Sequence, residues 1–100
     1  MPTTTRVLFR GAAATSSTTL YTVPSATTTV ISNIVVTNTA SSSGTFTLSL
    51  NGTSIATTVG VAANDSVTID LKQVLAATQT ITGLASATTM NFHISGVEIS

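Results

Sequence analysis

Thr45-Phe46-Thr47-Leu48-Ser49-Leu50-Asn51-Gly52, running on into Thr53 to Val59, decides how this chain folds. Phe46, Leu48 and Leu50 alternate with Thr45, Thr47 and Ser49. Successive side chains of a strand point to opposite faces, so the apolar set lies on one face and the hydroxyls on the other. Asn51-Gly52 follows at once. A two-residue type I′ turn needs positive φ at both central positions, which Asn and Gly tolerate. The chain therefore reverses here, and Thr53 to Val59 is predicted to return as the second strand of a hairpin.

The same period continues on both sides. Ser66 to Leu71 alternates, with Val67, Ile69 and Leu71 inward, after a connection over Gly60 to Asp65 that turns at Asn64-Asp65. Thr29 to Thr39 carries Val30, Ile31, Ile34, Val35 and Val36, which fall on both faces. That pattern marks a central strand with the core on one side and a second covering on the other. Val7 to Phe9, between Arg6 and Arg10, reads as a short first strand, and Gly11 to Ser17 as a small-residue connector. Thr18 to Val23 is a strand halted by Pro24. Lys72 to Ala77 is a single helical turn or a loop, and Thr78 to Ala85 is a strand around Ile81. In the last strand, Thr89 to Ile99, Met90, Phe92 and Ile94 share a face. After Gly96 the inward phase is expected to move to Val97 and Ile99, as a β-bulge would produce. About eight strands at this spacing, with no βαβ alternation, predict an all-β fold: an antiparallel β-sandwich, immunoglobulin-like or jelly-roll-like. Residues 1–19 are expected as an N-terminal strand and flexible arm, and 20–100 as the sandwich domain.

Composition narrows the function. Only six residues are charged, Arg6, Arg10, Lys72, Asp65, Asp70 and Glu98, and the net charge is zero. Globular domains average about a quarter charged residues. Thr and Ser make up 36 of the 100 residues, so the surface is wetted by hydroxyls rather than ions. A free monomer of this kind has little electrostatic repulsion to keep it dispersed, which points to a subunit packed in an assembly. Three cations cannot form a basic stripe, so nucleic acid is not an expected partner. No apolar run approaches the roughly 20 residues of a membrane span. Met1-Pro2-Thr3-Thr4-Thr5-Arg6 lacks a charged region followed by an apolar one, so no secretory signal is expected. The Asn51-Gly52-Thr53 and Asn64-Asp65-Ser66 triplets then read as turn chemistry rather than glycosylation sites. With no Cys there is no disulfide staple and no thiolate, which fits a reducing cytoplasm.

Catalytic chemistry finds little to stand on. His93 is the one histidine and alternates out of phase with Phe92 and Ile94, on the face away from the core. No Gly-x-Ser-x-Gly elbow is present, and Asp65 and Asp70 flank one strand rather than facing each other. Asn64-Asp65 is an Asx-type turn before it is a Ca²⁺ ligand set. No catalytic residue, cofactor or metal is expected. Of the aromatics Phe9, Tyr21, Phe46 and Phe92, Tyr21 alone lies out of phase with its apolar neighbour Leu20. It is either a core residue with a bonded hydroxyl or an interface anchor.

Leu20-Tyr21-Thr22-Val23-Pro24, the run from Val30 to Thr39, the hairpin strand from Thr45 to Gly52 and the ending from Asn91 to Ile99 together resemble a group of short β-sandwich proteins. These are encoded among the virion genes of tailed bacteriophages. The resemblance covers most of the chain from Leu20 onward, and the 19 residues before it match less clearly. It implies a minor virion protein, made in the host cytoplasm, that decorates or cements the capsid lattice or forms part of the neck, collar or tail. It further implies a homo-oligomer, trimer favoured, with the major capsid protein or another virion protein as partner. Interface residues expected from phase and position are Arg6, Leu8 and Arg10 on the first strand, Tyr21 and His93. The competing expectation is a neck, collar or tail-fibre module that binds host-surface glycans, which requires exposed aromatics on loops.

Overall fold

A computed structural model describes residues 3–100. Met1 and Pro2, which carry part of the leader reading, lie outside the described residues. Eight strands make up the fold: β1 (Thr3–Ala12), β2 (Thr18–Thr22), β3 (Thr28–Asn38), β4 (Gly44–Leu50), β5 (Thr53–Val61), β6 (Ser66–Leu75), β7 (Thr80–Ala85) and β8 (Met90–Ile99). They form two four-stranded sheets, ordered β1-β8-β3-β6 and β2-β7-β4-β5. Every paired neighbour is antiparallel. β1 pairs β8, β2 pairs β7, β3 pairs β6 and β4 pairs β5, as if one long hairpin with its bend at Asn51-Gly52 had been rolled up. That pairing is the jelly roll, and it decides between the two sandwich types the periodicity allowed.

The hairpin turn is built as its residues require, with φ of 48° at Asn51 and 84° at Gly52. Phe46, Leu48 and Leu50 face inward from β4, and Phe92 and Ile94 from β8. Phe46 and Phe92 meet edge to face across the two sheets, with ring centroids 6.1 Å apart. Ile31, Ile34, Val36, Ile81 and Met90 complete the interior, all fully buried. Asn38 is buried with them. Its Nδ2 donates to the carbonyls of Ser42, Val61 and Ala62, and its Oδ1 accepts from Ala40 N, so one amide ties β3 to two connections.

Four expectations are corrected. β1 is a ten-residue strand rather than Val7 to Phe9, and its register runs along β8 from Thr3 opposite Ile99 to Ala12 opposite Asn91. Thr3 to Thr5 hid this because hydroxyls carry no apolar alternation, although Thr is a good strand residue. β1 thus fills residues 3–12 of the segment expected as strand and arm. Lys72 to Ala77 is not a helical turn: β6 continues to Leu75, whose side chain is buried, by bulging between Asp70 and Gln73. The phase of β8 does not flip at Gly96, which stays inward in line with Phe92 and Ile94. The extra residues lie instead on both flanking strands, Leu8 of β1 and Ser32 of β3.

Gly96 lies at a close approach of these strands. A Cβ there would stand 2.3 Å from the Val30 carbonyl oxygen and 3.0 Å from Leu8 Cδ1. Leu8 is turned into the core and is 7% exposed, so it is not available as an interface residue; this is the fourth correction. The bulges cross the first sheet in a stepped line near this level: those of β3 and β6 lie between the Gly96 and Ser95 positions of β8, and that of β1 lies one position further on, between Ser95 and Ile94.

Candidate functional site

The remaining expected interface residues separate into two places. At one end of the sandwich, Arg6 on β1 pairs with Glu98 on β8, Nε to Oε1 at 3.3 Å. Tyr21 reaches across from β2 of the other sheet. Its hydroxyl donates to Glu98 Oε2 and accepts from Thr29 Oγ1 at 2.8 Å. Burial first, and then the Glu98 carboxylate, push the Tyr21 hydroxyl above its ordinary value. Tyr21 is therefore a partly buried inter-sheet clasp with a bonded hydroxyl, and the sequence had given no sign that Glu98 would be its partner.

On the outer face of the first sheet, Arg10 and His93 sit side by side, and Arg10 Nε donates to His93 Nδ1 at 3.2 Å. Asp65 Oδ1 accepts from the N–H of the next residue, Ser66, a local contact one residue shorter than the expected Asx turn. Among the described residues no three His, Cys, Asp or Glu side chains come together.

Charge is distributed unevenly. Arg6, Arg10, Asp70, Lys72, Glu98 and His93 all lie on β1, β6 and β8, and Asp65 on the connection before β6. The second sheet has none. Its outer face carries hydroxyls instead, with Thr19, Thr82, Ser49 and Ser54 in one row across all four strands. The outer face of the first sheet has cross-strand rows of a different kind. Thr5, Val97, Val30 and Val74 form one, Val7, Ser95, Asn33 and Asp70 the next, and Arg10, His93, Val35 and Thr68 a third. Val30 and Val35 are the outward apolar residues that the sequence marked on β3, and both are half-buried with no further layer over them among the described residues. Shallow depressions on this face, on either side of Ser32, follow the line of bulges.

Of the two outer edges of the first sheet, the sequence singled out β1, through Arg6, Leu8 and Arg10, but not β6, and it marked neither Val7 nor Val74 as a contact. Val7 on β1 is 50% exposed and Val74 on β6 is 63% exposed. Val74 fell in a stretch read as a helical turn or a loop, so the one available signal, an apolar residue in an edge strand, was hidden.

No family model and no curated protein matches the chain. Solved structures do. A chain of the Bacillus endospore appendages, which form a family of disulfide-linked pili, is similar at TM-score 0.60 and 16% identity, over 99% of this chain and 87% of that one. A chain of the T13 IBDV viral particle is similar at TM-score 0.58 and 11% identity, over 97% of this chain and 30% of that one. Others, among them sugar-binding and phage capsid proteins, score 0.49 and below and carry no weight. At these identities the likeness establishes the fold alone, and the fold is shared with chains of a pilus and of a viral particle.

Proposed function

We propose that this chain is a non-enzymatic structural subunit that assembles with copies of itself, and that its place is the virion of a tailed bacteriophage, on the head as a capsid decoration or cement protein. The observation that carries the reading is the surface. Both outer sheet faces are uncovered, the second has no ionisable side chain, and the first presents half-buried valines with long open edges beside them. Rigid sandwiches of this kind bridge neighbouring subunits of a lattice, and the added contacts resist pressure from within. Jelly rolls recur in viral capsids and also in lectins, so the fold supports assembly and glycan binding alike. The aromatics favour assembly. Phe46 and Phe92 are buried, and Phe9 and Tyr21 pack against the core, so none is free to stack on a sugar.

Sedimentation velocity of the purified chain is the first test. A symmetric oligomer, trimer favoured, is expected; a monomer at every concentration overturns the assembly reading. Immuno-gold labelling of intact particles then places the subunit. Head labelling is the expected result, and labelling confined to the tail ends the decoration proposal.

A further inference from the structure

We infer that copies of this chain join side by side through the two edges of the first sheet, β6 of one copy against β1 of the next, with the next copy offset by one cross-strand row. The inference rests on the assembly reading above and names its contact. In the order β1-β8-β3-β6 every neighbour is antiparallel, so β1 and β3 run one way and β8 and β6 the other. A copy set beside the sheet in the same orientation presents its β1 antiparallel to β6, and the alternation continues across the junction. The unpaired backbone N–H and C=O groups of two edge strands then satisfy each other.

The side chains select the register. Val7 and Val74 are the exposed large apolar residues of the first sheet, and they stand on its opposite edges. Arg10 and Asp70 are exposed on the same two edges. On the outer face Val74 lies in the row of Thr5, and Asp70 in the row of Val7. A direct continuation of the rows would set Val74 beside Thr5 and Asp70 beside Val7, which matches nothing. An offset of one row, about 7 Å along the strands, sets Val74 beside Val7 and Asp70 beside Arg10 of the neighbour in one move. The bulges of β6 and β1 then both fall between these two contacts. Arg6, the other cation of β1, is already taken by Glu98 of its own chain.

The other edges fit less well. β2 is five residues long and stops shortly before Pro24, and β5 breaks register twice. The contact joins unlike edges, so it is heterologous: it closes into a ring or runs on as a filament according to the rotation between copies.

Cysteine placement tests the register, because the chain has no thiol of its own. Val7 and Val74 of one copy are separated by the width of the sheet, about 14 Å at ordinary strand spacing, beyond the reach of a disulfide. A bond between them therefore has to join two copies. Val7→Cys/Val74→Cys is expected to give a ladder of linked oligomers on non-reducing gels. Thr5→Cys/Val74→Cys and Val7→Cys alone are expected to give none. Linkage of the Thr5 pair instead, or dimers from Val7→Cys alone, overturns the offset or the heterologous pairing. Arg10→Asp and Asp70→Arg are each expected to weaken association several-fold by sedimentation, and the double variant to restore it; a double variant no better than the singles overturns the pairing. Wild-type oligomers with no Val7–Val74 linkage defeat this contact and leave the assembly reading standing. A wild-type chain that stays monomeric defeats both.

Discussion

Gly96→Ala should be among the most damaging single-methyl additions this chain can suffer. The new Cβ would lie 2.3 Å from the Val30 carbonyl oxygen and 3.2 Å from Ile31 Cα, both backbone atoms of the central strand β3. A flexible side chain could swing aside, but a paired strand cannot move without straining its ladder. Overpacking costs about 1–3 kcal/mol, and a backbone obstruction belongs at the upper end of that range. Alanine recovers about 0.4–1 kcal/mol by restricting the unfolded chain. The net loss is then about 2 kcal/mol, or roughly 10 °C in melting temperature for a domain of this size. Gly60→Ala is the matched control. Gly60 lies on the exposed edge strand β5, and a Cβ there meets nothing within 4 Å. The same substitution is expected to be neutral or to gain up to about 1 kcal/mol. Urea unfolding followed by circular dichroism, with both variants at one protein concentration, gives the comparison directly. Equal midpoints for Gly96→Ala and wild type would refute the close approach of β1, β8 and β3 at the line of bulges.

Leu8→Ala should cost about 2–5 kcal/mol in the same assay, as for any buried leucine, whereas an interface role would leave the monomer intact and change only the oligomer. Asn38→Ala should cost about 1–3 kcal/mol, because the carbonyls of Ser42, Val61 and Ala62 lose their shared donor. Tyr21 is the one tyrosine, so the alkaline absorbance change reports on it alone, and its midpoint in the folded protein is expected above 10.0. The fold holds the neutral phenol: its contribution is whole below the unfolded-state value and is lost as pH rises through the higher folded-state value. Tyr21→Phe should therefore flatten the alkaline fall in stability, and a folded-state midpoint at or below 10.0 would contradict the clasp with Glu98.

Face was legible in this sequence, and neighbour was not. Alternation at Phe46, Leu48 and Leu50, the Asn51-Gly52 turn and the two-sided apolar run of β3 gave the central hairpin and the central strand, because each is a local pattern. Which strand pairs with which is set by contacts distant in sequence, such as Thr3 with Ile99, so the periodicity left two sandwich types open. Local readings also failed wherever a bulge intervened. Counting by twos placed Arg6, Leu8 and Arg10 on one face. The extra residue at Leu8 resets the phase, sending Leu8 inward under Gly96 and Arg10 outward beside His93. The glycine signalled the right level of the fold while the inserted residues sat on its neighbours, since a residue lacking Cβ makes room for a bulge next door as readily as for one of its own.

The interface residues were hardest to read for a related reason. Burial leaves a periodic imprint on sequence, but an edge is defined only by the absence of a neighbour. Val7 and Val74 look alike to any window-based reading, and only the strand order places them on opposite borders of one sheet. That order also gives the bulges a second meaning. A bulged edge rejects a flat strand from an arbitrary protein, which is how sandwiches avoid indiscriminate pairing. The bulges of β1 and β6 lie one position apart within a copy, and on the proposed one-row offset both fall between the same two contacts, so the two irregular edges of neighbouring copies are shaped for each other while remaining poor templates for a regular strand. Specificity then comes from shape and from a single acid–base pair rather than from many charges. On the proposed contact, a chain with six ionic side chains, four of them on the two edge strands, would assemble with its own kind without sticking to everything else.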